Sequence, residues 1–189
     1  MLKPSYLCSD QQRVILAVGK VSYQKGFDLL VRAYAEVHQD LRDWILVVVG
    51  DYSVPSESYQ SIELLVSQYG LENKVIFTGR AGNIADWYER AELFVLSSRF
   101  EGFPNVLLEA MAHGCCVIAS NCKTGPSEMI EHGVNGFLYD SEDTAALSSL
   151  LVKTADDELK RSEMSEAAKA VVDRFSTEVI YTKWDSVLK

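Results

Sequence analysis

A repeating alternation constrains this chain more than any other feature: a short apolar run closed by glycine or serine, followed by a longer stretch with helical spacing. RVILAVG (residues 13–19) and WILVVVG (44–50) are too continuously apolar for half-exposed strands, and KVIFTG (74–79), ELFVLSS (92–98) and CCVIAS (115–120) follow the same plan. Strands buried on both faces read this way. Between them, Phe27, Leu30, Val31 and Tyr34 form one apolar stripe and Ile62, Leu65, Val66 and Tyr69 another, with Gly70 placed to stop the second helix. Parallel neighbours need crossover connections, and crossovers put helices on both faces. Five strands alternating with helices therefore predict an α/β chain built on a doubly wound parallel sheet. In such a sheet ligands bind at the carboxyl ends of the strands, so the loops after Val18, Val49, Phe77, Leu96 and Ser120 come first in any search for a site.

From about residue 142 onward strands give way to helix. EDTAALSSLLVKTA and DDELKRSEMSEAAKAVVDRF are rich in Ala, Leu, Glu and Lys, and STEVIYTKWDSVLK reads as one more amphipathic helix. No internal repeat, low-complexity tract or Pro/Gly/Ser linker divides the chain. The expected organisation is one domain over residues 13–189, with residues 1–12 as linker. A length of 189 residues, 48% of them hydrophobic, suffices for a core without disulfide or metal staples.

The charge balance narrows the partners. Eighteen basic against twenty-seven acidic residues give a net charge of -9, which argues against duplex nucleic acid or an anionic membrane as the main partner while leaving room for a local basic pocket. No apolar run approaches the roughly 20 residues that span a bilayer. The opening MLKPSYLCSD lacks the apolar region and cleavage site of a signal peptide, so a cytoplasmic location is expected. Cys8, Cys115, Cys116 and Cys122 form neither paired knuckles nor a disulfide framework. His38, His113 and His132 lie far apart, with surface or helix-end roles expected, and nothing resembles HExxH.

The usual phosphate motifs are missing: no GxGxxG follows a strand, and GKVSYQKG (19–26) does not fit GxxxxGK[ST]. No Asp-x-Asp pair offers itself for a metal–diphosphate complex. The first loop does offer Gly19-Lys20 directly after a strand and Lys25-Gly26 at the start of the next helix. Two ammonium groups at the carboxyl edge of a sheet can neutralise a diphosphate that a glycine lets close to the backbone. Ordinary solvated lysines have the same spacing, and spacing alone leaves both readings open. A second cluster is RFEGFPNVLLEAMAHG (99–114). Glu101 sits in the loop, Pro104 and Asn105 mark a helix start, and Glu109 follows one turn inside. The free amides of Asn105 and Val106 at that helix start can take a phosphate, leaving the carboxylates to accept hydrogen bonds from sugar hydroxyls. Taken alone, Glu101 reads equally well as a loop charge and Glu109 as a first-turn residue favoured by the helix dipole.

Taken together, these segments resemble the family 4 GT-B glycosyltransferases, whose signature is a glutamate, seven residues and a second glutamate. Glu101, GFPNVLL and Glu109 match it in spacing and wording. The Gly19-Lys20 and Lys25-Gly26 pairs look like that family's donor-phosphate motif, and TGR (78–80) and GPSEMIEHGVNGFL (125–138) sit where the family has similar segments. The resemblance runs from about Arg13 to the C-terminus. Lys20 departs from it, because the family commonly has arginine there and an ammonium loses the bidentate fork. Length departs too. Family members have two Rossmann-like domains, and this chain looks like the C-terminal, donor-binding one, without the N-terminal acceptor domain.

The resemblance implies roles residue by residue. Lys20 and Lys25 bind the donor diphosphate and stabilise charge on the leaving nucleotide, Glu101 hydrogen-bonds the donor sugar, and Glu109 holds the ribose. Gly19, Gly102, Phe103, Pro104, Asn105 and Val106 line the donor, and Arg80 borders the base. Transfer in the family retains anomeric configuration and uses no divalent metal, so no cofactor is expected. The implied partners are a nucleotide-sugar, UDP-linked by preference and carrying a hexose or N-acetylhexosamine, and a glycan or lipid-linked acceptor held by the other domain. Similar wording occurs in bacterial enzymes of surface polysaccharide and glycoconjugate biosynthesis, so the intact enzyme is expected in the cytoplasm or at the inner face of the membrane. The alternatives are a non-catalytic nucleotide-sugar binding module and a nucleotide-sugar epimerase. The last helix crosses to the other domain in the family, which leaves Tyr181 and Trp184 either exposed or packed locally.

Overall fold

The computed structural model describes residues 3–9, 11–52 and 57–187. Among them are six strands, β1 (Arg13–Val18), β2 (Trp44–Val49), β3 (Val75–Gly79), β4 (Leu93–Leu96), β5 (Cys116–Ser120) and β6 (Phe137–Tyr139). They pair in parallel throughout, in the order β3-β2-β1-β4-β5-β6. The helices are α1 (Pro4–Leu7), α2 (Phe27–Val37), α3 (Glu57–Gln68), α4 (Ile84–Arg90), α5 (Asn105–Ala112), α6 (Pro126–Met129), α7 (Thr144–Asp156), α8 (Glu158–Ala168), α9 (Val171–Arg174) and α10 (Thr177–Val187).

Strand side chains alternate between two cores. From β1, Ile15 and Ala17 pack with Leu30, Val31 and Tyr34 of α2, Ile62 and Leu65 of α3 and Leu147 and Leu151 of α7. Val14 and Leu16 face the other way, toward Trp87 and Tyr88 of α4, Leu107 and Met111 of α5 and Val171 of α9. Every residue of β2 is buried, as its unbroken apolar run requires. Fully burying each such Val, Leu or Ile contributes about 1.5–3 kcal/mol, so the two layers hold the sheet from both faces. Within the first layer the Tyr34 hydroxyl donates to the Trp44 carbonyl at 2.8 Å, which satisfies the one polar group that this large side chain carries inside.

Three expectations change. The sixth strand, β6, lies within the segment read from sequence only as a motif. At three residues it is too short to show a period, and it seats beside β5 because Gly136 precedes it: a Cβ there would stand 2.5 Å from a Val117 methyl. Tyr69, expected on the buried stripe of α3, is exposed because that helix ends at Gln68 and Gly70 turns the chain at φ 65°. The stretch 156–175 divides into α8 and α9 rather than one helix.

Residues 3–9, within the segment read as linker, form α1 and its exit, and Cys8 is buried in the second core. The Arg90 side chain donates to the Ser9 carbonyl at 3.0 Å and also to that of Gln12. At the other end, α10 displays Tyr181 and Trp184, 68% and 61% exposed. The last two residues of the expected final helix lie outside the described residues.

Candidate functional site

Strand order places the site. The chain runs outward from β1 to β2 and β3, then returns to lay β4 on the opposite side of β1, so the connections after β1 and β4 set off in opposite directions along the sheet from their carboxyl ends. The first of these loops makes one 3₁₀ turn, Tyr23–Lys25, and enters α2 through Gly26 at φ 62°. A Cβ on Gly26 would lie 2.1 Å from the Ser97 carbonyl oxygen, so this approach of the two loops requires glycine. Beside it the Ser97 hydroxyl donates to the Lys25 carbonyl at 2.9 Å.

This approach brings together two residues 76 apart in sequence. The Lys25 ammonium lies 2.6 Å from Glu101 Oε1, and the Ser98 hydroxyl donates to the same oxygen at 2.6 Å. Side-chain exposure is 18% for Lys25 and 6% for Glu101, so the pair is largely shielded from water. Thr124 fixes the loop from the far side by donating its hydroxyl to the Glu101 carbonyl, and the Ser120 hydroxyl reaches the Ser98 carbonyl at 2.5 Å. The arrangement presents a cation and a carboxylate side by side at the switch point of the sheet. It suits a ligand with an anionic part next to hydroxyl groups.

Arg99 and Asp28 tie the same two loops. The guanidinium meets both carboxylate oxygens, Nη1 at 2.9 Å and Nη2 at 2.7 Å. Burial works against ionisation of Asp28, but the hydrogen bonds and charge of Arg99 outweigh it and hold the carboxyl below its ordinary value of 3.8. Those hydrogen bonds in turn raise the Arg99 guanidinium.

Glu109 sits on α5 with its side chain toward solvent, and the buried Tyr88 hydroxyl donates to its Oε2 at 2.9 Å. Burial, reinforced by this carboxylate, raises the Tyr88 phenol and keeps it protonated as a donor. Pro104 is buried at the N-cap of α5, whereas Gly102, Phe103 and Asn105 are exposed and the Phe103 ring lies 5.5 Å from that of Phe175. Of the two amides expected to meet phosphate, that of Asn105 is donated to the Phe103 carbonyl at 3.0 Å, which leaves the expectation resting on Val106.

The Lys25 side chain packs on Gly19, where a Cβ would stand 3.1 Å from Lys25 Cε, and beside that glycine come Lys20 and Arg80. With Gly19, Asp51, Ala81 and Ile84 they line an open hollow of about 350 Å³ over the ends of β1 and β2. Arg80 reaches Asp51 Oδ2 at 2.6 Å with its own side chain 81% exposed. Ser97, Ser98, Asp28, Arg99, Tyr88 and Asp51 were not singled out from sequence. Ser97, Ser98 and Arg99 carry a sequence signal only through their place between the end of β4 and Glu101. Among the described residues no group of three or more His, Cys, Asp or Glu is placed to hold a metal ion.

The profile of the family "Glycosyl transferases group 1" matches residues 2–171. The chain belongs to this family. Among curated relatives, the amylovoran biosynthesis glycosyltransferase AmsD of Erwinia amylovora is 30% identical over 178 residues, 94% of this chain and 48% of that protein. Among solved structures, Anabaena HepE in complex with UDP and glucose superposes with a TM-score of 0.87 at 27% identity, over 98% of this chain and 50% of HepE. The C-terminal domain of LpcC, a glycosyl transferase group 1 family protein from Francisella tularensis, shares the fold at a TM-score of 0.79 and 24% identity, over 93% of this chain and 98% of that one. The chain thus spans about half the length of the curated relatives it matches. The six-stranded parallel sheet covered by helices is the Rossmann-like half of a GT-B fold.

Proposed function

We propose that this domain is the C-terminal, donor-binding half of a retaining glycosyltransferase that moves a hexose or N-acetylhexosamine from a UDP-sugar to a glycan or lipid-linked acceptor. The observation that carries the reading is the Lys25–Glu101 pair, 2.6 Å apart and shielded, at the switch point between β1 and β4. Lys25, aided by Lys20 and Gly19, neutralises the diphosphate and stabilises the charge that grows on the leaving nucleotide. Glu101 accepts hydrogen bonds from the donor sugar. Glu109, steadied by Tyr88, takes the ribose hydroxyls, and Arg80 with Asp51 borders the base over the hollow. The loop from Gly102 through Phe103, Pro104 and Asn105 to Val106 closes the phosphate side. Protein cations do the work that a metal does elsewhere, so no cofactor is assigned.

The UDP preference leans on HepE, solved with UDP and glucose, and the polysaccharide setting on AmsD, named for amylovoran biosynthesis. No helix among the described residues is long and apolar enough to cross a membrane, and the proposed location is the cytoplasm or the inner membrane face. The second reading is a non-catalytic nucleotide-sugar binding module. Catalysis on a GT-B fold needs the reactants held together between two domains, so the chain by itself is expected to bind nucleotide and transfer no sugar.

Calorimetric titration with UDP, GDP and ADP, in chelator and then in magnesium, tests the reading. Saturable UDP binding in chelator, weakened by Lys25→Ala and by Glu109→Ala, is the expected result. Binding that needs magnesium, or that both substitutions leave unchanged, refutes the assignment. Acceptor-dependent turnover by the two-domain protein then separates a transferase from a binding module.

A further inference from the structure

We propose that Arg99 is a positioning residue: by clamping the loop after β1 to the loop after β4 it sets the Lys25 ammonium against the Glu101 carboxylate. The inference depends on the donor-site reading only for the identity of the anion that Lys25 receives. Arg99 lies two residues before Glu101, and its partner Asp28 three residues after Lys25, so the clamp grips both loops next to the charged pair. Besides its two bonds to Asp28, Arg99 donates Nη1 to the Tyr23 carbonyl at 2.8 Å and its guanidinium lies 4.1 Å from the centre of the Tyr23 ring. Its backbone amide donates to the Gln24 carbonyl at 2.8 Å, and the Gln24 side-chain amide returns to the Phe100 carbonyl at 3.1 Å.

A third loop joins from beyond β6. Glu142 Oε2 stands 3.4 Å from Arg99 Nε, with the Glu142 backbone at φ 69°, a left-handed conformation that a glutamate adopts at a cost. The Arg99 side chain is 9% exposed, and its guanidinium is engaged by Asp28, Tyr23 and Glu142. It therefore acts on Lys25 and Glu101 through the backbones of residues 23–25 and 99–101 rather than by touching them. A planar fork is required, because one guanidinium meets two carboxylate oxygens and a carbonyl at once, whereas an ammonium offers one point of attachment.

Lysine acylation reads this geometry directly. The chain is treated with a small amine-reactive acyl ester, and modification at Lys25 is followed by peptide mass spectrometry, with exposed Lys20 as internal reference. In the unsubstituted chain Lys25 is expected to react about tenfold more slowly than Lys20, because a charge-assisted hydrogen bond holds its ammonium. Arg99→Gln is expected to bring the two rates within about threefold, with Arg99→Lys between, and Glu101→Gln to release Lys25 in the same way. Circular dichroism and the thermal midpoint identify folded variants, and Asp28→Asn replaces Arg99→Gln if that variant does not fold.

A merely stabilising role lowers the midpoint and leaves the Lys25-to-Lys20 ratio alone. That result in a folded Arg99→Gln or Asp28→Asn chain overturns the proposal, as does a Lys25 that reacts as fast as Lys20 without any substitution. Adding UDP to the unsubstituted chain gives the separate arm. If UDP does not slow the remaining acylation of Lys25 while the Arg99 effect persists, the donor-site reading fails and the clamp stands.

Discussion

The candidate site holds two ion pairs of the same length in different surroundings. Lys25 and Glu101 lie 2.6 Å apart with 18% and 6% of their side chains exposed; Arg80 and Asp51 also lie 2.6 Å apart, but the arginine is 81% exposed. Distance therefore does not rank them. Water screens Arg80, whose long side chain loses entropy by staying on Asp51, itself 17% exposed, whereas the Lys25–Glu101 pair is shielded at both ends, keeps most of its attraction and leaves a stranded charge when either partner is removed. The shielded pair is preorganised before any ligand arrives. Arg80 can rearrange around one.

The largest expected effect follows from stranding Glu101. Lys25→Met is expected to lower stability by about 2–3 kcal/mol in urea titration, because the Ser98 hydroxyl remains as a partner but no cation does. A double-mutant cycle on Lys25 and Glu101 is expected to give a coupling of at least about 1.5 kcal/mol, and the same cycle on Arg80 and Asp51 less than about 0.5 kcal/mol. Equal couplings would break the comparison.

Acid probes the shielded pair through its clamp. The Asp28 carboxyl lies below its ordinary 3.8 in the folded chain, so its contribution is complete above that value and disappears as pH falls through the lowered native one. Urea unfolding between pH 6 and pH 2 is expected to show a loss of stability that is smaller in Asp28→Asn. An unchanged slope in that variant would assign the acid sensitivity to other carboxylates. Tyr88→Phe, which deletes the 2.9 Å bond to Glu109, is expected to cost about 1 kcal/mol, since water can replace the phenol at this open carboxylate. The smallest effect is that of Lys20→Ala, expected to shift stability by less than about 0.5 kcal/mol. Its loss of UDP affinity, about threefold in calorimetry, is expected to fade with added salt more steeply than that of Lys25→Ala.

What could be read from sequence divides along the same line. Strands β1, β2, β4 and β5 were legible because burial on both faces leaves unbroken apolar runs, and the helix start at Asn105 because proline precedes it. The spacing of Glu101 and Glu109 was legible because a seven-residue interval is a local property. Strand β6 was not, since its three residues carry no period and its place depends on the side chain missing from Gly136. The bonds from Arg99 to Asp28 and from Tyr88 to Glu109 span 71 and 21 positions, and no local pattern distinguishes their members from ordinary surface or core residues. Sequence thus named the charged groups at the switch point, while the groups bonded to them emerged only with the fold.

The strand order also sets a timetable. β1, β2 and β3 are contiguous neighbours in both chain and sheet and can pair as soon as the first 79 residues exist, whereas the pairing of β1 with β4 closes a far longer stretch of chain. Lys25 belongs to the first half and Glu101 to the second, so the pair forms only when the long-range closure of β4 onto β1 is made. During synthesis the first three strands can condense into a sheet with an open edge at β1, and this edge stays exposed until β4 arrives to cover it. A nucleotide bound at the proposed site would shield Lys25 only after this closure, and the onset of that protection during refolding would time it.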